Sequence, residues 1–326
     1  MSQISLDGRR ESDIRVAPSR KRSGMGISME RESTGRRRIF LTAAYDGTAY
    51  HGWQEQPGAA TVEGELNRAL TELLGEEIRV IGASRTDTGV HALCNAAVFD
   101  TMSRIPAEKF AHALNQRLPE DIRIRESKEV PPDFHPRHMH SRKTYEYRIY
   151  NARMPMPTKR LYSFFTYAKL NVEAMARAGA LLEGEHDFKS FCSVNTQAET
   201  TVRTIYRVEV WRENGRERCV SEGACLNAEE CRENADTDMN AKHRQGGMAV
   251  SVCEESEIII RVTGNGFLYN MVRIIAGTLL EVGQGKRKPE DMTAILSACD
   301  RSAAGPTAPA CGLTLTKYEF FPCSNS

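Results

Sequence analysis

Nowhere in the 326 residues do 18 uncharged apolar residues follow one another, so no membrane-spanning helix is expected. The first residues lack an apolar core, and no secretory signal is expected from them. The nine cysteines form no CxxC pair. An odd number of cysteines in a chain this long argues for free thiols in a reducing, cytoplasmic setting rather than a disulfide framework. An excess of one charge is missing too: 44 Lys and Arg against 43 Asp and Glu leave +1 at pH 7. That excludes a supercharged nucleic-acid coat, but it leaves room for a local basic cleft. Counting the 24 glycines with the 40% hydrophobic residues brings the apolar share to about 47%, an ordinary globular value. The length suits one large domain or two of ordinary size.

Two segments depart from this even composition. Residues 1–38 carry ten bases against five acids with almost no large apolar side chain. Such a segment cannot bury enough surface to offset its ordering entropy, so a disordered basic tail is expected. It is either simply solvated or an arm that attracts phosphate. Residues 212–256 carry ten acids against six bases between two strand-like runs, and they read as an inserted excursion. Within it Cys219, Cys225 and Cys231 recur every six residues, with His243 nearby. Zinc ligands are usually paired more tightly than that, so no metal is expected.

The remainder has a repeating order. A strand at 39–45 is followed by a helix at 61–75, which places Val62, Leu66, Ala69, Leu70, Leu73 and Leu74 on one face. Strands at 78–84 and 94–100, a helix opened by Pro106 and a strand at 121–130 complete β-α-β-β-α-β. The second half repeats it with strand 143–150, helix 171–183, strands 203–211 and 257–263, helix 268–283 and strand 312–320. A further helix opens at Pro289. The expected fold is α+β: two ferredoxin-like halves, 39–140 and 141–326, joined into one mainly antiparallel sheet with helices on one face. A cleft between such halves suits a long ligand.

The sharpest segment is GASRTDTGVHA, residues 82–92. Arg85 and Asp87 lie two apart on a loop leaving a buried strand, where a guanidinium can keep a carboxylate ionised and fix its direction. Taken alone, an RxD pair more often ties down a turn. In KTYEYRIY, alternation places Tyr145, Tyr147 and Ile149 on one strand face, and a strand tyrosine is more often core than catalytic.

The neighbouring motifs change that balance. The 82–92 segment resembles the GRTDAGVHA motif of the tRNA pseudouridine synthase A family. YDGTAYHGWQEQ (45–56), LNQRLPEDIRI (114–124), FHPRHMHSRKTYEYRIYN (134–151), EGEHDFKSFC (183–192), GNGFLYNMVRIIAGTLLEVGQG (264–285) and CGLTLTKYEFF (311–321) resemble further family segments, all in family order. Ser84 and Thr88 replace the more usual Gly and Ala, and His138-Met139-His140 replaces F-S-A.

The resemblance implies an isomerase that turns uridine into pseudouridine in the anticodon stem-loop of tRNA, at positions 38, 39 and 40, without a cofactor. It implies Asp87 as nucleophile, attacking either C6 of the base or C1′ of the sugar. Arg85 would orient Asp87 and fill the gap left by the flipped base. Tyr145 would stack on the uracil or also take the C5 proton. Leu313 would line the uracil pocket. Arg137, Lys143 and Arg273 lie beside matched motifs and become candidate RNA contacts, with Arg142 and the Lys286-Arg287-Lys288 run as further basic groups. Trp53 and Gln54 either shape the RNA track or, for Trp53, belong to the core. Family members work as homodimers on tRNA, so the same is expected here. Two other readings stay open: the same chemistry on other RNA uridines, and a non-catalytic RNA-binding or tRNA-folding protein.

Overall fold

Alternation builds the first strand. In β1 (Arg37–Tyr45), Ile39, Leu41, Ala43 and Tyr45 point into the main core, while Phe40 points the other way, against Ala83, Ala96 and Val98. A computed structural model describes residues 35–193, 198–214 and 256–321. Most of the basic tail, and residues 215–255 with Cys219, Cys225, Cys231 and His243, lie outside the described residues. β1 starts two residues before the position expected. Arg37 Nη2 lies 2.6 Å from Glu129 Oε2, and Arg38 Nε lies 2.7 Å from Asp100 Oδ1. These bonds draw the end of the basic segment into the sheet.

Helix α1 (Val62–Leu74) is opened by Thr61, whose side chain accepts from Gly64 N–H, and closed by Gly75 in the left-handed region. It buries Val62, Leu66, Ala69 and Leu70. β2 (Ile81–Gly82), β3 (His91–Thr101), α2 (Phe110–Asn115) and β4 (Ile122–Val130) complete the first repeat. β2 is much shorter than the strand expected over 78–84. Side chains of α1 take the bonds a longer ladder would need: Ile78 N–H donates to Thr71 Oγ1 and Val80 N–H to Asn67 Oδ1.

The second repeat runs through β5 (His140–Asn151), β6 (Phe164–Thr166), α3 (Val172–Ala180), β7 (Gly184–Asp187), β8 (Val202–Asn214), β9 (Ser256–Gly264), α4 (Met271–Gly283), α5 (Asp291–Ala298) and β10 (Leu313–Phe321). Short β6 and β7 are additions to the expected order. β8 and β9 stay paired out to Asn214 opposite Ser256, so the hairpin reaches into the segment read as an insertion. α4 begins at Met271 rather than 268 because Asn270 sits at φ 62, outside the helical region.

The strands form one sheet in the order β4-β1-β3-β10-β5-β9-β8-β7, with β2 on β3 and β6 on β5. Among the described residues, only the β3–β10 and β5–β6 ladders are parallel. The buried residues of all five helices belong to the same cluster as one face of the strands, which is the arrangement of helices against one side of a sheet. In sheet order β10 joins the two repeats, lying between β3 of the first and β5 of the second. The site is built at this seam.

Candidate active site

The loop between β2 and β3 carries Arg85 and Asp87, and a second loop, 46–53, is zipped against it. Trp53 N–H donates to Thr86 O at 3.1 Å and Gly89 N–H to Tyr50 O at 3.2 Å. Below the loop, Asn95 Nδ2 donates to Tyr45 Oη at 3.1 Å and to Ser84 O at 2.9 Å. The Tyr45 and Thr86 hydroxyls lie 2.7 Å apart. Trp53 is wholly buried, its indole lying where a side chain on Gly82 would be. Trp53 is therefore core, and Gln54 lines the cavity in front of it.

Gly52 makes this zipper possible. Its φ is +88, and a Cβ there would come within 2.5 Å of the Thr86 carbonyl oxygen. Gly52→Ala combines an unfavourable backbone with overpacking of the loop that bears Asp87. It is expected to cost about 2–3 kcal/mol and to lower the calorimetric Tm by roughly 3–5 °C, with turnover falling in parallel.

In front of the loop lies a cavity of about 700 Å³. Arg85, Asp87, Tyr145, Leu313, Arg137 and Lys143 all line it. The register of β5 against β10 sets Tyr145 opposite Leu315 and Tyr147 opposite Leu313. Leu315 is fully buried and stays in the core, whereas Leu313 reaches the cavity. The Tyr145 ring meets Phe267 edge-to-face at 5.3 Å.

Arg273 is the exception among the expected substrate contacts. It is not a cavity-lining residue: its Nη1 lies 3.7 Å from Asp87 Oδ2, and both side chains are 18% exposed. The cation seen beside Asp87 is thus Arg273, from the second repeat, while Arg85 is an exposed part of the cavity wall. Arg273 Nε donates to Ala308 O and Nη1 to Asn270 Oδ1, each at 2.8 Å. The guanidinium is thus held at two points while it faces the carboxylate.

Burial raises the Asp87 carboxyl above its ordinary value, and the charge and hydrogen bonding of Arg273 oppose that rise. Burial, with the neighbouring Tyr45 and Asp87, drives the Tyr145 phenol far upward, so at neutral pH Tyr145 presents a neutral ring. Lys143 is lowered to about 8, first by burial and then by the charges of Arg203 and Arg137. Arg137 is aimed by its Nε, which donates to Gly82 O at 2.8 Å.

Arg203 lines the same cavity and was not anticipated. It lies on an ordinary-looking strand, and nothing in its local pattern marks it. Arg142 packs instead over the Tyr206 and Phe321 rings, at 4.8 and 5.4 Å. Lys286 borders a different hollow, beside Phe164 and Tyr167, and Arg287 Nε lies 2.6 Å from Glu281 Oε2. The His138 ring stacks on that of His135 at 4.0 Å.

A model of the tRNA pseudouridine synthase family matches residues 41–138 and 178–320. The tRNA pseudouridine synthases A of Caldicellulosiruptor bescii and Ruminiclostridium cellulolyticum are each 43% identical to this chain over 284 residues, 87% of it and 100% of theirs. That of Halalkalibacterium halodurans is 41% identical over 278 residues, 85% of this chain and 90% of its own. The family model takes in the Asp87 loop, Leu313 and the Arg273 helix alike. With identity this high across almost the entire length of these relatives, the chain belongs to the tRNA pseudouridine synthase family.

Proposed function

We propose that this chain isomerises uridine to pseudouridine in the anticodon stem-loop of tRNA, at positions 38, 39 and 40, with Asp87 as the nucleophile. The observation that carries the proposal is the half-buried Asp87 carboxylate, paired with Arg273 in a cavity shared with Tyr145 and Leu313. A carboxylate so placed can assist cleavage of a glycosidic bond as nucleophile or ion-pair partner. The C1′–N1 bond breaks, the freed uracil turns within the pocket, and C1′ bonds to C5. C5 then loses its proton, N1 gains one, and no electrons are exchanged with a third party.

Each lining residue has work in that sequence. Tyr145 offers a flat, uncharged face for the uracil, with Leu313 as apolar lining. The high phenol value means that Tyr145 can accept the C5 proton only after giving up its own, which favours stacking as its main role. Arg85, exposed on the same loop, would enter the space that a flipped nucleotide leaves. Arg137, Lys143 and Arg203 supply positive charge for the phosphates flanking it. The working unit, by family resemblance, is a cytoplasmic homodimer on one tRNA. No helix among the described residues is long and apolar enough to cross a membrane.

Release of tritium from C5-labelled uridine in tRNA tests the activity, and mapping pseudouridines in tRNA from a strain lacking the protein tests the positions. Unchanged modification at 38–40 in that strain would reject the assignment.

Lys143 adds a pH signature. It is charged below about 8 and increasingly neutral above that value, so tRNA affinity is expected to fall as pH rises through this range. The loss from pH 7 to 9 should be about 3- to 10-fold, the worth of roughly one phosphate contact. Lys143→Met should bind more weakly at pH 7 and lose most of the dependence, as read by filter binding.

A further inference from the structure

Asn270 occupies an uncommon position. It precedes α4 at φ 62 and ψ 5, in the left-handed region, and its side chain makes no cap bond to the helix. A residue before a helix normally lies in the extended region and caps the first free N–H groups. Here the amide is used elsewhere: Oδ1 accepts from Arg273 Nη1 and Nδ2 donates to Ser193 Oγ, both at 2.8 Å. Because a guanidinium only donates, the amide orientation is determined: the oxygen faces Arg273 and the nitrogen faces Ser193. The backbone is tied to the same loop, with Ser193 N–H donating to Tyr269 O at 3.2 Å.

We infer that Asn270 is a positioning residue for the reaction, aiming the Arg273 guanidinium at Asp87, and that its neutrality is as necessary as its shape. The inference rests on the proposed role of Asp87. Arg273 Nη1 is the atom shared by Asn270 Oδ1 at 2.8 Å and Asp87 Oδ2 at 3.7 Å. Asn270 therefore holds the nitrogen whose charge the carboxylate feels, and a neutral acceptor does so without competing for that charge. An aspartate of the same size would compete. Asparagine also belongs to the few side chains that tolerate this backbone, so one residue meets both requirements.

Two variants separate positioning from structure. Asn270→Gly keeps the backbone and removes the amide. Asn270→Asp keeps shape and backbone but adds a charge. Asp87 faces Arg273 from α4 and Tyr145 from β5. Arg85 on its own loop, His51 on the adjoining loop, and Arg137, Lys143 and Arg203 line the same cavity. Neither substitution touches those other groups directly, so a change at Asp87 reports on Arg273.

In both variants kcat should fall about tenfold or more while KM for tRNA stays within about twofold, the signature of an interaction used in the chemical step. The acid limb of the kcat profile should move to higher pH, further for Asn270→Asp. The Gly variant should stay folded and melt within a few degrees of wild type, because glycine suits the left-handed backbone and offsets part of the cost of the two lost amide bonds. The 13C titration of the Asp87 carboxyl in free, folded protein, identified by its loss in Asp87→Asn, should shift upward in both variants. That measurement needs no substrate. It therefore still reads the Asn270–Arg273–Asp87 coupling if wild-type protein releases no tritium, a result that would instead reject the proposed function. Asp87 titrating as in wild type in both variants would overturn the inference, as would unchanged kcat, or a raised KM with kcat intact.

Discussion

Asp87→Asn is expected to abolish tritium release from C5-labelled tRNA, by about 10⁴-fold or more, the scale seen when a nucleophile is removed. The amide keeps the volume and loses both charge and nucleophilicity. Binding of tRNA should survive, because phosphate contacts supply most of the affinity and a carboxylate adds none. Stability should not fall either. Burial raises Asp87 above its unfolded value, so its contribution to stability is full below the unfolded pKa and is lost as pH rises through the folded one. At neutral pH the ionised group is therefore a cost of function. The Asn variant should melt at or above the wild-type temperature, with the gap narrowing toward acid pH. Full tritium release by this variant would remove Asp87 from the mechanism.

Arg273→Met should also damage turnover severely, though less and for a different reason, and unlike the Asp87 change it should destabilise. It strips Asp87 of its counter-charge and leaves Asn270 Oδ1 and Ala308 O without their donor. Removing one partner of a buried pair costs about 3–5 kcal/mol. With both side chains 18% exposed and the ion pair long at 3.7 Å, about 2–3 kcal/mol is more apt here, or roughly 3–5 °C in Tm for a chain of this size. Turnover at pH 7 should fall about 10²- to 10³-fold, and the acid limb of the rate profile should rise because Asp87 is left buried without its cation. An unchanged acid limb would mean that Arg273 does not set the state of Asp87.

The sequence showed the parts of the site that are local and hid those made by distant chain segments meeting. Asp87 and Tyr145 stand in contiguous motifs, and the alternation that places Tyr145, Tyr147 and Ile149 on one face holds in the core. Leu313 rather than Leu315 reaches the cavity. The pairing of Asp87 with Arg273 was not legible, because nothing in a helical pattern says which turn will face a loop from the other repeat. Arg85, two residues from Asp87 and in the same motif, is the partner that spacing and family resemblance both suggest. The helices followed from apolar spacing and caps, as in α1 between Thr61 and Gly75. The strand over 78–84 shrank to two residues because Asn67 and Thr71 of that helix took its backbone bonds, a competition that period-two patterns do not register. Short β6 and β7 carry too few residues to show any period.

The place of β10 also bears on how the molecule is made. It is the last strand of the sheet in chain order, yet it lies between β3 and β5. On a ribosome, β1, β3 and β4 can pair with one another long before Leu313 is translated, and so can β5, β8 and β9. Until β10 emerges, the stretches of β3 and β5 that it covers, left bare by β2 and β6, expose an unpaired edge, the kind that pairs with other chains. Closure then joins the repeats and, in the same movement, brings Leu313 into the cavity. A nascent chain stalled before this strand would hold Asp87 and Arg273 but lack the link between its two sheets. Synthesis thus ends, for this sheet, with the piece that completes both the fold and the pocket.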